Sequence, residues 1–449
     1  MEYSKLSFDE LLRPEGYDDG CGVHHSCPLK FLRIERDAVN TIPECFDRLG
    51  FTKPFVVADP NTEKAAWFKV KAVLEKAGIP YSYFCFAEDH PEPAEYSMGA
   101  IAMAFDNTCD VIMAVGSGVI NDCCKVLARV TGKPSISIAT APSMDGYASD
   151  GSSMVIAGVK GHISVPCPVA VIADTLILKD APARMLWSGL GDMLAKYVAL
   201  CEWRITNIIN DEYYCPDVAT LMRDSLNKLV AAAPHLMDRD PETIGAIMEG
   251  LVLSGIAMAF VHVSRPASGL EHYFSHIWEM MVMSGKIPFD THGIQVGVGT
   301  YLVMDLYDQI AKLTPSREKA EAFIASFKPE DWEKGIHEFF SDAAEPILAL
   351  EKRVGKNDPT KHAKRLERIL GHWDDILAAM KAELPPIEQI RSLMETVGMP
   401  MLPSDIGYTD ENAYDAFYHS RDIRDKYLTS SMLWDLGLLY EMKLKLTRD

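Results

Sequence analysis

CDVIMAVGSGVINDCCKVLARVTGKPSISIATAPS, residues 109–143, decides the fold. Its first run, 109–118, is apolar without alternation, the pattern of a strand buried on both faces, and it ends in Gly116-Ser117-Gly118. NDCCKVLARVTG reads as helix and PSISIATAP (134–142) as the next buried strand. Strand, glycine turn, helix, strand is a βαβ unit, which requires a parallel sheet. The alternation continues outward through KPFVVAD (53–59), YSYFCF (81–86) and PVAVIAD (168–174), with the helical TEKAAWFKVKAVLEKAG after the first. GYASDGSSMVIAGVKGHISVP interrupts it with short Gly-flanked runs and predicts a hairpin excursion. From about residue 181 helix follows helix, through KRLERILGHWDDILAAMKAEL to SSMLWDLGLLYEMKLKL. The expected architecture is an α/β domain over 1–180, with a doubly wound, mostly parallel sheet, and an all-α domain over 181–449.

The 449 residues carry 44 Lys and Arg against 64 Asp and Glu, a net charge of −20. Such a chain repels phosphate backbones unless it segregates a basic face, and no dense Lys/Arg cluster is present, so nucleic acid is excluded as a general partner. Apolar residues at 48% are enough for a large core. Ten scattered cysteines with no CxxC read as reduced thiols, and residues 1–30 lack the apolar region of a signal peptide, so a cytoplasmic protein is expected. IGAIMEGLVLSGIAMAFVHV (244–263) is interrupted by Glu249 and His262, too soon for a bilayer span, and predicts a buried core helix. Helix faces in the C-terminal region suit packing into a homodimer, without a sustained heptad run.

Three motifs carry chemistry. In the first, Gly116, Ser117 and Gly118 lead into Asn121 and Asp122 at the start of a helix, where glycines and free N–H groups suit a phosphate. The third glycine of the dinucleotide fingerprint is absent, so a plain βα turn fits the same residues. Asp59, at a strand end, precedes Gly116 by 57 residues, whereas the usual ribose-binding acid follows the glycines by about 20. The second motif, TAPSMDGYAS with Thr140, Ser143, Asp145 and Ser149, lies past a strand's C-terminal end, where open α/β sheets bind ligands. The third joins Asp192 in SGLGDMLAKY, His272 and His276 in SGLEHYFSHIWE, and His292 in DTHGIQVGVGT. One carboxylate and two imidazoles suit a Lewis-acid metal such as Zn²⁺, Fe²⁺ or Ni²⁺, and the i,i+4 spacing puts His272 and His276 on one helix face.

The set GSGVIND, TAPSMDGYAS, GLGDMLAKY, SRPASGLEHYFSHIWE and DTHGIQVGVGT resembles the metal-dependent alcohol dehydrogenase and dehydroquinate synthase superfamily, and within it the bacterial branch of glycerol-1-phosphate dehydrogenases. The resemblance implies a dehydroquinate synthase-like fold with the active site between the two domains. It implies Asp192, His272 and His292 as ligands of a divalent metal (Ni or Zn, with Fe a further option), and His276 and Asp145 near the substrate. It assigns the Gly116–Asp122 turn, Thr140, Ser143 and Ser149 to the cofactor, with Asp59 on the adenosine ribose. A carboxylate there disfavours a 2′-phosphate, so NAD(H) is expected over NADP(H). Iron-type relatives carry a histidine where this chain has Lys196, and a protonated lysine cannot coordinate. The implied reaction reduces dihydroxyacetone phosphate reversibly to sn-glycerol 1-phosphate, with Lys196, Arg265 and Lys160 as the expected phosphate contacts. The alternatives are a dehydrogenase of unphosphorylated glycerol and a carbocycle-forming lyase like dehydroquinate synthase.

Overall fold

The structure, a computed structural model, describes residues 1–156 and 159–448. Six strands form one parallel sheet: β1 (Phe31–Glu35), β2 (Pro54–Ala58), β3 (Ser82–Cys85), β4 (Val111–Gly116), β5 (Ser135–Ala139) and β6 (Ala170–Asp174). Their order is β1-β6-β5-β4-β2-β3, every pair parallel. The four inner strands are buried along their whole length, as continuous apolar runs require when helices cover both faces. Side chains alternate between two cores: Val56, Val111, Met113 and Ile136 on one face, Phe55, Val57, Ile112 and Ala114 on the other. β1 is absent from the apolar runs of the sequence because, at the edge, FLRIE keeps Arg33 and Glu35 partly in water.

The order reverses between β2 and β4. After β2 the chain adds β3 on one side, then returns to lay β4 on the other side of β2, so the loops leaving β2 and β4 diverge and open a crevice. The register pairs Val57 with Ala114, so the next residues bring Asp59 opposite Gly116. The 57 residues that separate them in sequence are the β3 excursion and its helices. Helix α1 (Gly118–Thr131) starts at this crevice. The hairpin expected after β5 is present as Gly151–Ile156 paired antiparallel with Val159–Ser164.

Beyond β6 every regular element among the described residues is helical. The main ones are α2 (Ala183–Asn210), α3 (Pro216–Ala232), α4 (Pro241–Val261), α5 (Leu270–Met283) and α6 (His292–Ile310). α4 is long and apolar enough to cross a membrane by length and composition, yet most of it is buried inside the protein. Glycines set how closely the layers approach. A Cβ on Gly189 of α2 would lie 1.8 Å from the Pro142 carbonyl oxygen, and one on Gly255 of α4 would lie 2.8 Å from the Ala148 backbone. Both helices therefore press directly on the loop after β5. The same device joins α2 to α6, where a Cβ on Gly293 would lie 1.9 Å from the Ser188 carbonyl oxygen and one on Gly191 2.1 Å from that of Gly293. The Ser188 hydroxyl donates to the Ser143 carbonyl (2.8 Å) and accepts from the Gly293 N–H (3.2 Å), tying the β5 loop, α2 and α6 at one point.

Helix propensity alone favours alanine over glycine by about 1 kcal/mol. Overpacking against backbone opposes it, at up to about 3 kcal/mol. The Gly293→Ala variant is accordingly expected to unfold at lower urea concentration than wild type. An unchanged or raised midpoint would mean that α2 and α6 can separate without cost.

Candidate metal and nucleotide site

The convergence at Ser188 brings Asp192, four residues further along α2, next to the first turn of α6 and beside α5. Asp192 Oδ1 lies 3.4 Å from His272 Nε2, and both side chains are buried. The other ring nitrogen of His272 donates to Glu271 Oε1 at 2.7 Å, which leaves the Nε2 lone pair facing Asp192. A carboxylate that fixes the tautomer of an imidazole in this way is the usual support of a metal-binding histidine. His272 and His292 have ring centres 5.4 Å apart, and two imidazoles sharing one tetrahedral ion sit about 5 Å apart. His292 Nδ1 is held by Ser275 Oγ (3.1 Å) and Glu279 Oε1 (3.2 Å), so its Nε2 is the atom left for a ligand. This donor set fits a divalent metal.

Two three-residue groups have ligand atoms within 4.8 Å of one another: Asp145, Asp192 and His272, and next to them His276, Glu279 and His292. The two share the space around His272, whose ring centre is 6.4 Å from that of His276. Burial and the nearby Arg424 guanidinium push the His276 imidazole down to about 3, so it is neutral at physiological pH.

Lys196 occupies the position after Asp192 that i,i+4 spacing brings to the same face. Its buried ammonium donates to Asp145 Oδ2 (2.8 Å), Asp192 Oδ1 (2.9 Å) and the Ala267 carbonyl (3.0 Å), and these two carboxylates hold its pKa raised. An ammonium has three donors, and all three are spent on the protein. Asp145 also accepts from Ser254 Oγ (2.9 Å), while its N–H donates to Asp192 Oδ2 (3.0 Å). Arg265 is likewise committed, forking onto Glu212 with two 2.6 Å bonds and reaching the Tyr427 carbonyl. Lys160 lies in the hairpin, and its side chain is outside the described residues.

At the crevice, Ser117 precedes α1 without a side-chain cap, and a Cβ on Gly118 would touch only Met144 at 3.7 Å. An uncapped helix start with open space beside Gly118 suits a diphosphate. Gly116 is required for a different reason: a Cβ there would strike Ile120 at 2.5 Å. Asp59 caps the turn Pro60–Thr62 through Oδ1, which accepts from the Asn61 and Thr62 N–H groups at 2.8 Å, and no hydrogen bond among the described residues reaches Oδ2. Asn121, Asp122 and Ser149 join a scaffold around buried Lys125, which contacts Asp122 (3.1 Å), Ser149 Oγ (3.3 Å) and the Gly146 carbonyl (3.1 Å). Asn121 Nδ2 also donates to Gly146. Thr140 and Ser143 are buried along the loop between these groups and α2.

Reading the chain as a string of motifs leaves out Glu271, Glu279, Ser254 and Arg424. Glu271 and Glu279 had a local signal, since they adjoin His272 and follow His276 by one turn. Ser254 and Arg424 had none, because they come from α4 and from the C-terminal segment. The α2 carboxylate Glu202 is a further case: it accepts from the Leu270 N–H (3.0 Å), at the start of α5, and from the Thr429 N–H (2.8 Å).

A family model described as iron-containing alcohol dehydrogenase matches residues 33–182. Over most of its length the chain is similar to proteins named glycerol-1-phosphate dehydrogenase, NAD(P)+. It is 32% identical to that of Geobacillus stearothermophilus over 393 residues, covering 86% of this chain and 88% of the relative. With that of Halalkalibacterium halodurans the identity is 29% over 410 residues, 90% and 92% of the two chains. Among solved structures, maleylacetate reductase from Rhizobium sp. strain MTP-10005 superposes with TM-score 0.59 at 15% identity, over 93% of this chain and 97% of that one. A probable glycerol dehydrogenase from Sinorhizobium meliloti 1021 gives 0.56 at 16%, over 92% and 98%. At such identities the structural likeness speaks for the fold.

Burial, then the neighbouring Glu271, raises the Glu202 carboxyl from 4.5 to about 7. A carboxyl with a raised folded-state pKa binds its proton more tightly when folded, so its contribution is present below 4.5 and lost as pH rises towards 7. Urea midpoints of wild type and Glu202→Gln, measured across this window, are expected to move in the variant's favour as pH rises. Parallel profiles would contradict the shift.

Proposed function

The chain belongs to the glycerol-1-phosphate dehydrogenases, and from that premise we propose how its residues carry out the NAD(P)-linked, metal-dependent interconversion of dihydroxyacetone phosphate and sn-glycerol 1-phosphate. The observation that carries the reading is the contact between Asp192 and His272, with Glu271 holding the imidazole in the ligand tautomer. Asp192, His272 and His292 hold the divalent metal, zinc or nickel. When bound, the metal supplies Lewis-acid polarisation of the C2 carbonyl and the nicotinamide supplies hydride. The α1 N-terminus takes the cofactor diphosphate and Asp59 Oδ2 the ribose, and the Asp59 carboxylate favours NAD(H) over NADP(H).

Asp145 and Lys196 stay joined below the metal ligands, where Lys196 offsets the charge of two buried carboxylates. His276, neutral, relays a proton rather than supplying one from an imidazolium: it takes a proton on one ring nitrogen as it releases the other. Its partner in that path is Glu279, 3.6 Å away. With the donors of Lys196 and Arg265 committed, the substrate phosphate falls to Arg424, which is exposed, lies within electrostatic reach of His276 and forms no ion pair among the described residues. The break at 180/181 divides a nucleotide-binding part from a metal-binding part, and the protein works as a cytoplasmic homodimer.

His272→Ala is expected to lose both metal content and turnover, while NADH oxidation by wild type is expected with dihydroxyacetone phosphate and only weakly with dihydroxyacetone. Activity in metal-free protein, or equal use of both ketones, would overturn the reading. Arg424→Ala is expected to raise KM for dihydroxyacetone phosphate about 10- to 100-fold, the worth of a charge-assisted hydrogen bond. It should leave KM for unphosphorylated dihydroxyacetone unchanged; an equal change in both would remove Arg424 from the phosphate.

A further inference from the structure

Away from this site, four side chains converge from an N-terminal hairpin, Tyr17–Asp18 paired antiparallel with His24–His25, and from the start of α3. They are Asp19, Cys21, His25 and Cys215, with ligand atoms all within 4.8 Å of one another. His25 Nε2 is 3.0 Å from Asp19 Oδ2, 3.2 Å from Cys21 Sγ and 3.7 Å from Cys215 Sγ, and Cys215 Sγ is 3.4 Å from Asp19 Oδ2. With Zn–S near 2.3 Å and Zn–N and Zn–O near 2.0–2.1 Å, the edges of a tetrahedral site come to about 3.3–3.8 Å. Two of the observed edges, 3.4 and 3.7 Å, have that size, and the other two, 3.0 and 3.2 Å, are a few tenths of an ångström shorter.

The protonation pattern points the same way. His25 Nδ1 is 2.7 Å from the Phe260 carbonyl oxygen, which can only accept, so Nδ1 carries the proton. Nε2, the other ring nitrogen, faces the Asp19 carboxylate oxygen, which brings lone pairs of its own, and both cysteine sulfurs. His25 and the Asp19 side chain are buried, and among the described residues the Asp19 carboxylate has no Lys or Arg hydrogen-bond partner; its partners are Tyr3, Cys21, His25 and Cys215. A cation at the centre satisfies every one of these lone pairs at once. Two sulfurs, an imidazole and a carboxylate are a borderline-soft set that selects zinc over magnesium or calcium.

We propose that Asp19, Cys21, His25 and Cys215 form a structural Zn²⁺ site, separate from the catalytic one, that clamps the N-terminal hairpin to the helical half. Cys21 is turned inward by glycines on both sides, Gly20 and Gly22, at φ +87° and +88°. Cys215 precedes α3, and the Phe260 carbonyl that orients His25 belongs to α4, so one ion links the hairpin to both helices. With four protein ligands the site is closed, which suits a structural role.

The test is independent of the catalytic assignment, because the catalytic group contains no sulfur. Full-length His272→Ala, purified without chelator, is expected to retain about one zinc per chain by mass spectrometry. Loaded with Co²⁺ instead, it is expected to show a thiolate-to-cobalt charge-transfer band in the near ultraviolet. The half-exposed Cys21→Ser change, added to it, is expected to abolish the band. Chelation is expected to lower the melting temperature of His272→Ala and not that of the double variant. A His272→Ala protein that binds no zinc and gives no cobalt–thiolate band overturns the proposal, whatever the second variant does, and a band that survives Cys21→Ser overturns the ligand set.

Discussion

The close approach of α2 to α6 is the constraint on which the rest of the site depends. With glycine at 191 and 293 the two backbones touch, and the Ser188 hydroxyl pins α6 and the loop after β5 to the same turn of α2. Asp192 and His292 are the residues that immediately follow and precede those glycines. The placement of Asp192 and His292 is therefore a consequence of helix packing: any side chain at the contact would displace both.

That packing creates a charge problem, since it buries Asp192 and Glu271 completely and leaves Asp145 largely covered. Unpaired buried carboxylates cost several kcal/mol each. Lys196 answers for two of them, and Glu271 Oε1 accepts from His272 Nδ1 and from the Gly269 N–H. Lys196 is thus a counter-ion within the protein. In the proposed function, the −20 chain meets anionic ligands with local devices: the uncapped first turn of α1, a bound metal and the exposed Arg424.

The crevice at the reversal of strand order explains a mismatch that sequence spacing leaves open. Counted along the chain, Asp59 is on the wrong side of the glycine turn for a dinucleotide fold; counted across the sheet, it comes two residues after Val57, whose partner Ala114 stands two residues before Gly116. A parallel sheet places all strand C-termini on one edge, so residues far apart in sequence become neighbours whenever their strands pair.

The sequence by itself determined the class of fold, the inner strands, the hairpin and the turn to helices after β6, and it singled out Asp192, His272 and His292 as candidate ligands. These are legible because burial on both faces leaves long apolar runs, and because glycines and histidines are few enough to stand out. It also pointed to Lys196 and Arg265 as free cations, which their surroundings forbid: whether a basic group is available depends on who accepts its protons, and those acceptors come from Asp145, Ala267, Glu212 and Tyr427. Only the tertiary structure decided the partners of His272, the place of Arg424, and the gathering of Asp19, Cys21 and His25 with Cys215. Each joins segments whose nearness is set by packing of helices and strands, and no local spacing records it.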